Sequence, residues 1–359
     1  MKQYDYRNPL DVQEALIAAE NKRMITESAK SGTPSNPSKY TRMLFFDTLD
    51  AIKRMAFTYD GIDIIFIDKN NCKYNIKNNI LYINDYENKS IKVDFSKDKE
   101  NTVVYMKSGY MKNEIIYLCK KFITNNFIVL NNSDNVFVSS DKYLTALLLD
   151  EYNINQPKYQ LFESSDCDKD DCSEFDKKLK LIYGNLNDDN KYVCKLLIGS
   201  GGTGVFICNR KNILSIMQCL FSINKDIKIL VQQKLTIKDG DIRAYIFTYN
   251  DKQEVVTCIT RKKLNSDFRT NLSLGSTMEQ YEMTPEQEKF VKNAAKCTGL
   301  LYCGVDACVN EDDNKLYVIE INGSPDAPVA DALDDETYKE LEKKYYNKFT
   351  NILMNLINE

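Results

Sequence analysis

Gly304-Val-Asp306, followed by Tyr317-Val-Ile-Glu320-Ile-Asn322-Gly-Ser-Pro325, sets two carboxylates and an amide on two strand-like runs joined across Glu311-Asp-Asp-Asn314. Glu320 and Asn322 stand two apart on a strand, hence on one face, and Asp306 lies in the preceding strand. Three hard oxygen ligands on adjacent strands suit magnesium, which takes one or two carboxylates together with phosphate oxygens and water. Structural ion pairs are the alternative for these carboxylates, but no basic residue alternates with them on those strands. Upstream lie Asp239-Gly-Asp-Ile-Arg243 and Arg261-Lys-Lys-Leu-Asn-Ser-Asp-Phe-Arg269-Thr-Asn271. The chain holds 40 Lys but only eight Arg, and three of the eight fall between 243 and 269, which points to a need for the guanidinium fork that meets phosphate bidentately.

The rest of the composition narrows the chemistry. With 359 residues, 43% of them apolar, and a mean hydropathy of −0.45, the chain can bury one or two substantial cores. A net charge of −4 gives no reason to expect nucleic-acid binding, and no apolar run approaches a membrane span or a secretory signal, so a cytoplasmic protein is expected. The 11 Cys never form C-x-x-C and sit mostly in apolar stretches, which reads as reduced core thiols. There is no His, which removes Ser-His-Asp and Cys-His nucleophilic systems and imidazole zinc sites. Carboxylates, cations, amides and a bound cofactor remain, and they favour phosphoryl chemistry.

Along the chain, residues 1–40 read as an extension: an amphipathic helix from Asp11 to about Ser28, then the flexible Ser31-Gly-Thr-Pro-Ser-Asn-Pro-Ser38. Residues 41–140 read as a small α/β domain, with helix over Leu44 to Met55, strand over Ile62 to Ile67, Asn/Lys-rich hairpins, strand Thr102 to Tyr105, helix Glu114 to Ile123 and strand Phe127 to Leu130. Asp141-Lys142, ahead of a helical Tyr143 to Asp150 run, reads as surface. The acidic Ser164 to Ser173 stretch lacks the glycine and closing Glu of a calcium loop and reads as solvated. Thr284, Pro285 and Gln287 announce a capped helix ending before Gly299, and Tyr338, Leu341, Tyr345, Phe349, Ile352 and Leu356 mark a closing amphipathic helix.

Gly199-Ser200-Gly201-Gly202-Thr203-Gly204 matches G-x-G-x-x-G, but strand-like Tyr192 to Leu196 precedes it and Val205 to Cys208 follows. The glycines therefore join a β-hairpin and do not open a helix, which excludes a dinucleotide fingerprint or Walker A loop. A side-chain-free hairpin can bring its backbone N–H groups close to phosphates. Lys195 enters that hairpin on the face of Val193, where its charge needs an anionic partner.

In this order, Asp141-Lys142, Val193-Cys-Lys195, Gly199 to Val205, Val231-Gln232-Gln233-Lys234-Leu235, Asp241-Ile-Arg243, Arg261, Asp267-Phe-Arg-Thr-Asn271, Gly304-Val-Asp306 and Glu320-Ile-Asn-Gly-Ser-Pro325 resemble the ATP-grasp carboxylate–amine ligases of the RimK type over roughly residues 100–326. The resemblance implies an α/β fold in which a pre-ATP-grasp domain (41–140) precedes an ATP-grasp domain (141–359), itself a flap-bearing part (141–230) and a metal-binding part (231–359) that clamp ATP. It implies that Lys142 and Lys195 contact ATP, that the Gly199 to Gly204 flap covers the phosphates, and that Gln232, Gln233, Lys234 and Leu235 form the hinge bonding adenine. Arg243, Arg261 and Arg269 would face triphosphate and acyl phosphate with Asn271 nearby, and Asp306, Glu320 and Asn322 would hold two Mg²⁺ ions, Mn²⁺ being an acceptable replacement. The partners implied are ATP and an amino-acid, peptide or protein substrate, with no nucleic acid or membrane, and a homo-oligomer stays open. The sequence departs from the family pattern at Leu274-Gly275-Ser276 and at Asp326. A small-molecule kinase on the same fold and a non-catalytic nucleotide-binding module are the alternatives.

Overall fold

The computed structural model describes residues 41–49, 62–107, 113–167, 171–199, 201–237, 240–249, 252–262 and 277–326, with 328, 345, 348, 349, 351–353 and 355. The N-terminal extension, Ser200, Arg269, Asn271 and the Leu274-Gly275-Ser276 departure lie outside them. The chain divides into two compact units, Met1–Ser133 with Thr350–Glu359, and Asp134–Phe349.

In the first unit, β1 (Arg42–Asp47), β2 (Asp63–Asp68), β6 (Thr102–Met106) and β7 (Ile128–Leu130) form a parallel sheet in the order β2-β1-β6-β7, while β3 (Tyr74–Lys77), β4 (Ile80–Asn84) and β5 (Ser90–Asp94) form an antiparallel meander. Helix α1 (Asn113–Thr124) lies between β6 and β7 and buries Ile115, Leu118 and Phe122, the last with its ring edge-on to Phe46, Phe95 and Phe127. Leu44 to Asp47, expected at the start of a helix, is strand. Met43-Leu-Phe-Phe46 is buried at every position, as a central parallel strand covered on both faces must be, and such a run carries no period to separate it from a buried helix.

The second unit opens with α2 (Ser133–Ser140) and α3 (Lys142–Glu151). Its first sheet is antiparallel in the order β10-β9-β11-β8, built from β8 (Tyr159–Phe162), β9 (Lys191–Leu196), β10 (Val205–Asn209) and β11 (Ile229–Gln233). Helices α4 (Ser173–Tyr183) and α5 (Ile213–Ile223) press Phe175, Leu179, Met217 and Phe221 against Phe162, Tyr192, Cys194 and Val231. Alternation along β9 thus gives Tyr192 and Cys194 to the core and turns Val193 and Lys195 to the opposite face. The Ser164–Cys167 turn is not solvated as expected: Asp166 is buried because the Lys178 ammonium of α4 bonds both its oxygens at 2.7 Å.

The other sheet, also antiparallel, runs β14-β13-β12-β15-β16, with β12 (Asp241–Tyr249), β13 (Lys252–Lys262), β14 (Thr277–Gln280), β15 (Tyr302–Asn310) and β16 (Lys315–Asn322). Helix α6 (Pro285–Cys297) carries the expected Thr284/Gln287 capping box and packs on this sheet through Val291, Ala294 and Ala295. Of the expected closing helix, Tyr345 and Phe349 are buried in an aromatic cluster with Tyr245, Phe247 and Tyr302. All 11 cysteines are free thiols. No helix among the described residues is long and apolar enough to cross a membrane.

Gly240, just before β12, adopts φ +95°, and a Cβ there would stand 2.1 Å from the Arg261 carbonyl oxygen of the paired strand. Backbone in a sheet cannot step aside without loss of the β12–β13 register. Gly240→Ala is therefore expected to destabilise the unit by about 2 kcal/mol or more, against about 1 kcal/mol for Thr284→Ala at the α6 cap, read as the difference in urea midpoints.

Candidate active site

The pairing of three strands builds the charged row. Arg243 of β12 lies opposite Asp306 of β15, and Asp306 lies opposite Glu320 of β16, so all three side chains share one face. In the neighbouring rows Asp241 faces Arg261, and Gly304 faces Asn322. Arg243 grips Asp306 bidentately, Nε to Oδ1 at 2.6 Å and Nη2 to Oδ2 at 2.7 Å, and Arg261 Nη2 donates to the same Oδ2 at 2.8 Å. Arg261 also donates to both oxygens of Asp241. Burial alone would raise the Asp306 carboxyl, but the Arg243 and Arg261 guanidiniums hold it down, at about 2. The cations that no basic residue on β15 or β16 supplies come instead from the strands beside them.

Helix α3 and the hairpin sheet each bring a lysine to this row. Lys142 opens α3, where Asp141 caps the helix by accepting the N–H groups of Tyr143 at 2.8 Å and Leu144 at 3.0 Å. This pair is not the surface feature expected of it: the Lys142 ammonium is largely enclosed, donates to the Gly199 carbonyl at 2.9 Å and lies 3.6 Å from Glu320 Oε1. Lys195 is buried, and its ammonium donates to the Ile319 carbonyl at 3.4 Å. Burial pulls the Lys195 amine down to about 8, with Glu320 opposing that shift and Lys142 adding to it.

Between these lysines the glycine hairpin turns back: β9 and β10 pair with Lys195 opposite Val205, and Gly201, Gly202 and Gly204 all have positive φ. A Cβ on Gly204 would come within 2.8 Å of the Leu196 side chain, so this position closes tightly over its own strand. Thr203 lies in the turn.

Gln232 to Leu235 end β11 and lead toward the second sheet. Gln232 is buried, the Gln233 N–H donates to Lys158 O at 2.8 Å, and the Lys234 N–H donates to the Tyr183 hydroxyl at 3.1 Å and to Lys191 O at 3.2 Å. The Thr236 N–H donates to Asn310 Oδ1 at 3.1 Å. Leu235 is itself buried.

Sequence reasoning quoted Asp241 within its motif but gave it no role, and left out Tyr183. The signal for Asp241 was available, since it stands two residues from Arg243 and so shares its strand face; nothing in the local sequence tied Tyr183 to Lys234.

The donor set suits a polyanion with a divalent cation. Two enclosed ammonium groups face one carboxylate, Glu320, leaving positive charge for phosphate oxygens. Asp306 Oδ1 accepts a single N–H and so retains an acceptor position, Glu320 is 38% exposed, and Asn322 Oδ1 accepts only the Ser324 N–H, at 3.0 Å. Among the described residues, no group of three or more His, Cys, Asp or Glu side chains is placed to hold a metal ion by itself.

Residues 139–335 match the family model described as the RimK-like ATP-grasp domain. A probable alpha-L-glutamate ligase of Histophilus somni is 29% identical over 208 residues, 57% of this chain and 62% of that protein. One of Thioalkalivibrio sulfidiphilus is 33% identical over 135 residues, 37% of this chain and 42% of that one. The chain thus spans less than two thirds of the length of these curated relatives. Among solved structures, D-alanyl-alanine synthetase A from Vibrio cholerae superposes with a TM-score of 0.60 at 12% identity, covering 89% of this chain and 99% of that one. A Chryseobacterium gregarium RiPP-associated ATP-grasp ligase, in complex with ADP and a leader and core peptide, gives a TM-score of 0.56 at 12% identity, covering 87% and 97%. At those identities the likeness is one of fold. With more than half its length matched to the domain, and the charged row and glycine hairpin standing inside that match, the chain belongs to the RimK-like ATP-grasp family.

Proposed function

We propose that this chain is an ATP-dependent, Mg²⁺-dependent ligase that joins a carboxylate to an amine and acts on an amino acid together with a peptide or protein. The observation that carries this reading is the Arg243–Asp306–Glu320 row facing the ammonium groups of Lys142 and Lys195 beside a glycine hairpin. The names of the curated relatives, probable alpha-L-glutamate ligase, and the peptide-bound neighbour support the substrate class.

In this scheme Lys142, Lys195 and the backbone of Gly201 to Gly204 hold the triphosphate, and the Leu235 N–H meets an acceptor on the adenine edge. Glu320, Asn322 and Asp306 Oδ1 hold the divalent cation, which when bound offsets negative charge on the phosphate oxygens. A substrate carboxylate oxygen forms a bond to the γ-phosphorus as the bond to the β,γ-bridging oxygen breaks, giving an acyl phosphate and ADP. The amine then adds to the acyl carbon, phosphate leaves, and one proton is released. Two anions must approach in the first step, and the lysines and Arg243 lower that repulsion. Arg269 and Asn271, implied by the family resemblance, take the acyl-phosphate side of this scheme. No histidine is required, because phosphate supplies the leaving group.

Three outcomes test the proposal. Hydroxylamine added to a turnover mixture of ATP and candidate acids should give a hydroxamate and ADP; AMP and pyrophosphate as the products would defeat it, and a stable phosphorylated product with no amide would mark a kinase. Glu320→Gln should lower turnover by about 100-fold or more while the melting temperature stays close to the parent's, since its side chain is part-exposed and stands 3.6 Å from the Lys142 ammonium.

Nucleotide affinity should fall as pH rises through about 8, where Lys195 loses its proton, and Lys195→Met should flatten that profile. The stability of the free protein runs the other way. Lys195 titrates at about 8 when folded and near 10.5 when unfolded, so between these values the unfolded chain holds more protons, and this group's contribution to stability rises with pH. Calorimetric nucleotide titrations and urea unfolding at pH 7 and 9 read the two trends.

A further inference from the structure

Asp241 takes no part in the scheme above, yet it is only 1% exposed and is joined to the site through Arg261. Its carboxylate accepts from Arg261 Nε and Nη2; the same Nη2 reaches Asp306 Oδ2 at 2.8 Å, and Asp306 is gripped from its other side by Arg243. Asp241, Arg261, Asp306 and Arg243 therefore alternate in sign along an enclosed chain whose charges cancel, two against two. Gly240, with a conformation that leaves no room for a side chain against the Arg261 carbonyl, pins Asp241 opposite Arg261.

We propose that Asp241 is a positioning residue that sets the divalent-cation affinity of the site: by sharing Arg261, it limits the pull of that guanidinium on Asp306 Oδ2 and so leaves the Asp306 carboxylate more negative charge to offer a metal ion. This rests on the assignment of Asp306 and Glu320 to a cation in the proposed function. The physical reason is charge balance. With Asp241 present, an arriving cation meets a neutral set of four. With Asp241 neutral, Arg261 has only Asp306 to compensate it, and the cation meets two guanidiniums that share one carboxylate, a net positive group in a poorly solvated place. Removing Arg261 has the opposite sign: Asp306 is then compensated by Arg243 alone, Asp241 adds its own negative charge, and the cation is drawn in.

The test is Mn²⁺ binding to the full chain at saturating ADP, followed by the loss of the free Mn²⁺ electron paramagnetic resonance signal. Asp241→Asn should weaken Mn²⁺ by about 10-fold, the range seen when a group behind a metal ligand is lost, and Arg261→Gln should tighten it by a few-fold. Two lesions at the same enclosed depth that move affinity in opposite directions cannot both arise from loosened packing. Unchanged affinity in Asp241→Asn, or weaker binding in both variants, overturns the inference. If circular dichroism finds Asp241→Asn unfolded, Arg261→Gln decides alone: tighter binding upholds the inference, and equal or weaker binding overturns it. Parent protein that retains neither ADP nor Mn²⁺ overturns the ligase reading itself, and this one with it, which is distinguishable from a parent that binds both while its Asp241 variant is unaffected.

Discussion

The carboxylate of Asp306, held between two guanidiniums inside a five-stranded sheet, is the interaction around which the second unit's charged row is built. A buried anion of this kind persists only when its oxygens are satisfied and its charge is met nearby. Antiparallel pairing meets that demand by register: β12 supplies Arg243 directly opposite, β13 supplies Arg261 one row along, and β16 brings Glu320 to the other side. The sheet is thus both a structural element and the device that sets the spacing of charges.

The surroundings follow from this arrangement. One end of the same face is filled by Phe247, Tyr302 and Phe349, which exclude water from the interior, while the opposite face is covered by α6. Lys195, excluded from its own sheet's apolar core by strand alternation, turns instead toward β16. Sequestration lowers the proton affinity of its amine.

Much of this was legible in the residues themselves. The two-residue spacing of Glu320 and Asn322, the turn at Glu311 to Asn314 and the strands flanking the glycines follow from alternation and turn chemistry, and the capping box at Thr284 from local hydrogen bonding. The links between distant strands were not legible. Nothing within β15 or β16 tells which neighbour carries the compensating cations of Asp306, because that depends on strand order, and strand order is set by packing over the whole sheet. Leu44 to Phe46 reads as the start of a helix for another reason: a segment covered on both faces shows apolar residues at every position and has no period to read. Asp166, in an acidic run that looked solvated, owes its burial to a lysine one helix away.

Lys142 bonds the first carbonyl of the glycine hairpin and also stands beside Glu320 on the far strand. A single ammonium shared by two otherwise separate parts is a thermodynamic link. Whatever draws that cation away from Glu320 also alters its hold on the hairpin, and by reciprocity a hairpin that shifts changes the field at the carboxylate by the same free energy. Hairpin order and the charge state around Glu320 are therefore not independent variables in this protein; they are two readouts of where one lysine rests.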